Sequence, residues 1–116
     1  MRKQGKLDTE EFRLLVFQVV CLIPRGRATS YGVIARSIGY PTLSRMVGRV
    51  LANATENDIP AHRVVNSQGC LSGKDAFETP DRMQNLLESE GITVENNRIK
   101  NWEKVFWDPV IEISIE

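Results

Sequence analysis

Two cysteines, Cys21 and Cys70, and one histidine, His62, are the only thiol and imidazole side chains in the 116 residues. They are too few for a zinc set, and without a Cys-x-x-Cys spacing nothing indicates a disulfide framework. No metal or other cofactor is expected. Long apolar runs are also missing: the stretch from Leu14 to Ile23 is broken by Gln18 and falls well short of the roughly 18 residues of a membrane span. The segment Met1-Arg2-Lys3-Gln4-Gly5-Lys6 is basic, but neither an apolar core nor a small-residue cleavage site follows it. A secretory signal is therefore not expected, and the expected location is the cytoplasm. A hydrophobic content of 41% is too high for a disordered chain, and 116 residues suffice for one modest core. One domain over residues 1–116 is expected.

Net charge is absent as well, yet the total hides a partition. Residues 24–74 carry Arg25, Arg27, Arg36, Arg45, Arg49, Arg63 and Lys74 against Glu56 and Asp58, a net of +5, whereas residues 75–116 hold four basic and ten acidic side chains. The middle could face a polyanion while the acidic remainder faces solvent or a protein. Alternatively the two halves pack together and blur the dipole.

Turning to what is there, Asp8 with Glu11 reads as a capping box, and Phe12, Leu15, Val16, Val19 and Leu22 follow at helical spacing until Pro24. Cys21, in the apolar run Val19-Val20-Cys21-Leu22, reads as a small core residue. Pro24 to Arg27 is a turn, Ser30 caps a short helix from Tyr31 to about Ile38, and Gly39 ends it. Thr42, after Pro41, is placed to cap the next helix, in which Leu43, Met46, Val47, Val50 and Leu51 form one buried stripe. The opposite face carries Arg45, Gly48, Arg49 and Ala52. Two short helices joined by a tight turn, the second with a basic outer face, predict a helix-turn-helix.

Beyond a loop from Asn53 to Pro60, Arg63-Val64-Val65, the turn Asn66 to Gly69 and Cys70-Leu71 predict a hairpin that would form a wing. Thr79-Pro80 opens a further helix with Met83, Leu86 and Leu87, which Gly91 stops. Ile92 to Ile99 predicts a second small hairpin around Asn96-Asn97, and Trp102 and Trp107 an aromatic cover on the core. The fold class is mainly α with small β, a winged helix-turn-helix domain.

The outer face of the second helix of the pair lacks the polar side chains that read base edges in the major groove. Gly48 and Ala52 let its backbone approach closely, which suits the narrower minor groove; equally, Gly48 could simply admit a crossing helix.

Ile23-Pro24-Arg25-Gly26, Tyr31-Gly32-Val33-Ile34-Ala35, Ser44-Arg45-Met46-Val47-Gly48, Asn53 and Ile59-Pro60-Ala61-His62-Arg63-Val64 occur in an order that resembles the DNA-binding domain of O6-alkylguanine-DNA alkyltransferases, over about residues 9–108. The resemblance implies minor-groove binding and rotation of a damaged guanine into a pocket behind the third helix. It assigns DNA contacts to Tyr31 and Arg45, with Arg45 filling the gap left by the flipped base and Tyr31 pushing on the neighbouring phosphate; the outer face of the helix adds Gly48 and Arg49 as expected DNA contacts. The alkyltransferases have Pro-Cys-His-Arg where this chain has Pro60-Ala61-His62-Arg63. Their Cys thiolate, activated by the adjoining His and a Glu, takes the alkyl group covalently.

A methyl side chain cannot do so. His62, Asn53 and Glu90 would then be relics of the hydrogen-bond network. The substitution makes the chain resemble alkyltransferase-like proteins, which bind alkylated guanine in duplex DNA without repairing it and pass the site to nucleotide excision repair. Glu88 to Gly91 and Phe106 to Pro109 fit that group. Many of its members carry Trp at the position of Ala61, so Ala should enlarge a lesion pocket formed with Arg63 and Lys74. Lys74 would lie over the flipped base, or else be an ordinary solvated lysine.

The expected partners are DNA and nucleotide excision repair proteins, with no membrane, and the expected state is a monomer. Two alternatives remain at this point. One is an alkyl-accepting methyltransferase with a displaced nucleophile, Cys70 or Cys21; the other is a winged-helix transcription regulator.

Overall fold

The structure, a computed structural model, describes residues 7–55 and 58–113; the basic segment Met1 to Lys6 and, within the loop from Asn53 to Pro60, Glu56 and Asn57 lie outside the described residues. Helix α1 spans Thr9–Leu22, and the Asp8 carboxylate accepts from the N–H groups of Glu10 and Glu11, satisfying two of the donors that every helix start leaves open. Its buried face is Phe12, Val16 and Val20. Two expectations change here: Leu22 is 55% exposed and Cys21 is exposed. The stripe ends one turn early because α1 stops at Leu22 and the chain leaves it in an extended conformation at Ile23, which takes the core position.

Strand β1 (Thr29–Ser30) leads into α2 (Tyr31–Ser37), where the Ser30 hydroxyl accepts from Val33 N–H at 3.2 Å. Gly39, at φ 93°, supplies the left-handed conformation that closes this helix. Helix α3 is Ser44–Ala52, and Thr42 does not cap it: the preceding residue is Leu43, without a side-chain cap bond. Helices α2 and α3 pack closely, giving the expected helix-turn-helix. Val47 and Leu51 are buried, while Leu43, Met46 and Val50 border the same core.

The expected first hairpin does not form. Strand β2 (Val64–Val65) pairs in parallel with β1, Thr29 opposite Val64 and Ser30 opposite Val65. Two consecutive valines at 1% and 0% exposure explain this, since a half-solvated hairpin would bury only one of them. The turn survives without the ladder, as Asn66 Oδ1 accepts from Gln68 and Cys70 N–H groups. Helix α4 is Arg82–Ser89, starting after Asp81 rather than at Pro80. The second hairpin forms as expected: β3 (Val94–Glu95) and β4 (Arg98–Ile99) are antiparallel, with Asn96 and Asn97 both at positive φ.

The core has two parts. One lies under α1, α2 and α3 and includes Trp107; the other joins β2, α4 and the hairpin, and Phe77 packs against both. Arg27 fastens the last segments to the first, donating to the carbonyls of Val105 and Phe106 and pairing with Glu112 at 2.8 Å. Short helices α5 (Trp102–Val105) and α6 (Pro109–Ile113) complete the chain. No helix among the described residues is long and apolar enough to cross a membrane.

Candidate nucleic-acid interface

The outer face of α3 presents Arg45, Arg49 and Ala52 to solvent, with Gly48 between them. Neither guanidinium makes a hydrogen bond or ion pair among the described residues. An ammonium or guanidinium left unpartnered on a helix face is what contact with phosphate requires.

This face forms one side of a cleft of about 470 Å³, and the segment Ser72 to Ala76 forms the other. Tyr31 spans the two. A Cβ on Gly48 would lie 3.7 Å from the Tyr31 ring, and one on Gly73 only 2.5 Å from its hydroxyl, so the absence of a side chain at Gly73 is what lets the segment close on the ring. Burial pushes the Tyr31 phenol up from its ordinary value, and a hydrogen bond with the Ser72 side chain opposes this. Here Tyr31 reaches across to the loop.

Behind this partition lies a cavity of about 20 Å³, room for roughly one water molecule. Tyr31, Gly48, Ala52, Gly73 and Ala76 line both spaces and are therefore their common boundary. Leu51, Ala61 and Met83, all buried, line the inner end. Among the described residues, no thiol, amine or carboxylate lines it.

The remaining expected pocket residues lie elsewhere. Arg63 does not line either space, because its guanidinium is held by Glu90 and by the carbonyl of Ile23, at 2.8 Å each. Lys74 lies on the short 3-10 turn Lys74–Ala76, also without lining either space. Asn53 is not part of the expected network: it is exposed and its side-chain amide donates to Arg49 O, closing the end of α3.

His62 and Glu90 do meet, at 2.7 Å. Glu90, 4% exposed, also accepts from Arg63 and from Gly26 N–H, which ties the end of α4 to the turn after α1 and to the residues following Ala61. Burial pushes the Glu90 carboxyl up, but Arg63, Gly26 N–H and His62 outweigh it and lower its pKa to about 2. An ionised carboxylate only accepts, so His62 Nε2 carries the proton and donates. Burial lowers the His62 pKa against the opposing pull of Glu90, which keeps the ring neutral at pH 7.

Cys21 lies on the exposed side of α1, and Cys70 forms a bridge to Arg98 of β4; neither lines the cleft or the cavity. Of the segment Ser72 to Ala76, sequence reasoning singled out only Lys74 and missed the lining residues Ser72, Gly73, Asp75 and Ala76, because the segment is too short and polar to show a periodicity. Its one available signal was the small pair Ser72-Gly73.

A helix-turn-helix whose basic helix overlies a small buried cavity is the class that fold and site define. Residues 11–92 match the model of the 6-O-methylguanine DNA methyltransferase, DNA binding domain. Alkyltransferase-like protein 1 of Schizosaccharomyces pombe is 38% identical over 86 residues, 73% of this chain and 80% of that protein. A DNA base-flipping protein of Vibrio parahaemolyticus is 39% identical over 103 residues, covering 86% and 99%. The crystal structure of S. pombe Atl1 in complex with damaged DNA containing O6-carboxymethylguanine is similar at a TM-score of 0.79 and 34% identity, over 89% of this chain and 100% of that one. The chain belongs to the family of the 6-O-methylguanine DNA methyltransferase DNA-binding domain, as an alkyltransferase-like protein.

Proposed function

We propose that the protein is a monomeric, non-enzymatic sensor that binds O6-alkylguanine in duplex DNA through the minor groove and turns the base out of the stack. The observation that carries this is Ala61, a methyl side chain lining the inner cavity next to the intact His62–Glu90 pair. Alkyl transfer needs a nucleophile in line with the alkyl carbon, and no thiol is there. The displaced-cysteine alternative loses its support, because Cys21 and Cys70 both lie away from the cavity. A transcription regulator would need base-reading side chains where α3 carries Gly48 and Ala52.

In this reading Arg49 neutralises phosphate, Gly48 admits the groove wall, and Arg45 fills the vacated stack. Tyr31 leaves Ser72 to press on the backbone as the base passes. A cavity for one water cannot hold a purine, so the segment Ser72 to Ala76 must part from α3 on binding. Arg63 is reassigned from the lesion to holding Glu90, and Lys74 to the phosphate backbone. Glu90 and His62 keep the scaffold of the former active site, while Asn53 only ends α3. A protein that cannot remove the alkyl group leaves that to strand excision, and recruitment of nucleotide excision repair proteins is its downstream role.

Affinities for duplexes carrying guanine, O6-methylguanine and bulkier O6-alkylguanines test this. We expect tighter binding to every alkylated duplex, with no penalty for the bulkier groups, since Ala61 leaves space beside them. Equal affinity for guanine and all its derivatives would refute lesion recognition.

A further inference from the structure

Residues 1–6 contain Arg2, Lys3 and Lys6 and no acidic side chain, and the function proposed above leaves them without a role. They do not serve α1. The start of a helix carries the positive end of its dipole, so cations immediately before it are unfavourable. The nearby acids are largely engaged, because Asp8 accepts from the N–H groups of Glu10 and Glu11, and Glu10 pairs with Arg13 at 2.8 Å. Among the described residues this leaves the exposed Glu11 as the one carboxylate of that turn without a bonded partner.

The place where the segment joins the fold points elsewhere. Leu7 packs against the core under α1, α2 and α3, which Tyr40 and Leu43 also border. Phe12, in the first turn of α1, meets the Tyr40 ring edge-on at 5.5 Å. Tyr40 opens the turn into α3, its carbonyl accepting from Leu43 N–H at 2.9 Å, and Ser44 and Arg45, the first residues of α3, line the cleft. The start of α1 therefore lies beside the start of α3, at the end of the interface that carries Arg45. Six residues extend to about 20 Å, enough to run from there along the backbone of a duplex seated on α3.

We propose that Arg2, Lys3 and Lys6 form a basic arm that contacts phosphates of duplex DNA flanking the part covered by α3. This rests on α3 being the DNA-binding helix, as in the function proposed above. A duplex offers the arm a regular line of anions, which Glu11 alone does not. Phosphate contacts carry no base information, so the arm adds affinity for every duplex and leaves lesion preference unchanged.

The test is the salt dependence of binding, measured with guanine and O6-methylguanine duplexes for the full chain and for the triple variant Arg2→Gln, Lys3→Gln, Lys6→Gln. With three fewer phosphates neutralised, the slope of log affinity against log salt should be shallower by about 2 to 3 in the variant. Between about 50 and 200 mM salt the parent should then lose about 40-fold more affinity than the variant. The ratio of affinities for the two duplexes should be the same in both proteins. An unchanged slope would overturn the inference, and so would a changed ratio, which would place the cations at the extruded base rather than on flanking phosphates. A lower unfolding midpoint with an unchanged slope would overturn it too, and assign the cations to α1. A parent that binds both duplexes alike would remove the lesion reading only, since the difference in slope judges the arm by itself. A parent that binds neither duplex would remove both.

Discussion

Glu90→Ala is expected to destabilise the protein by about 3 to 5 kcal/mol, the cost of leaving a buried charge without its partner. Arg63 would lose three contacts to the carboxylate and keep only the Ile23 carbonyl, and Gly26 N–H would lose its acceptor. The same carboxylate makes stability depend on pH. Its folded pKa of about 2 lies below the unfolded value near 4.5, so its contribution is complete above about pH 4.5 and disappears as the pH falls through about 2. That difference between the folded and unfolded carboxyl corresponds to a loss on the order of 3 kcal/mol. His62 acts in the same direction, beginning below about pH 6.5, because burial disfavours its protonated form in the folded state. Urea unfolding at a series of pH values should show a steep acid decline in the parent and a shallower one in Glu90→Ala. Parent-like stability of the variant at pH 7 would contradict this role.

Arg45→Ala is expected to cost about 30-fold in preference for O6-methylguanine over guanine, while its effect on undamaged duplex is smaller. Base extrusion costs a few kcal/mol, and a planar guanidinium occupying the gap restores about 2 kcal/mol of it by stacking and cation–π contact. Arg45→Lys should recover most of the undamaged affinity but little of the preference, since an ammonium keeps the charge and loses the plane. A fluorescent base analogue at the lesion position reports extrusion directly. If it showed full extrusion by Arg45→Ala, the finger role would be wrong.

The helix-turn-helix was legible because its determinants are local. Ser30 caps α2, Gly39 ends it, and the stripe from Leu43 to Leu51 has the helical period. The Asn96-Asn97 turn is equally local. What escaped is long-range. Val64-Val65 reads as half a hairpin, and only its distance from Thr29-Ser30 in sequence hides the parallel pairing that buries both valines. Arg63 looked like a pocket residue next to Ala61, but its guanidinium turns to Glu90, 27 residues away. Ala61, Arg45 and Gly48 were readable from motif order and Arg49 from the helical period, whereas Ser72, Gly73 and Asp75 line the cleft only through the way their loop folds over Tyr31.

The central claim is recognition of an alkylated base without alkyl transfer, and intact-mass measurement tests it most directly. The parent protein is incubated with a duplex containing O6-methylguanine at a concentration where binding is saturated, and both protein and DNA are weighed. We predict an unchanged protein mass and a fully methylated duplex recovered from the complex. A protein heavier by one methyl group, with the duplex demethylated, would contradict the account.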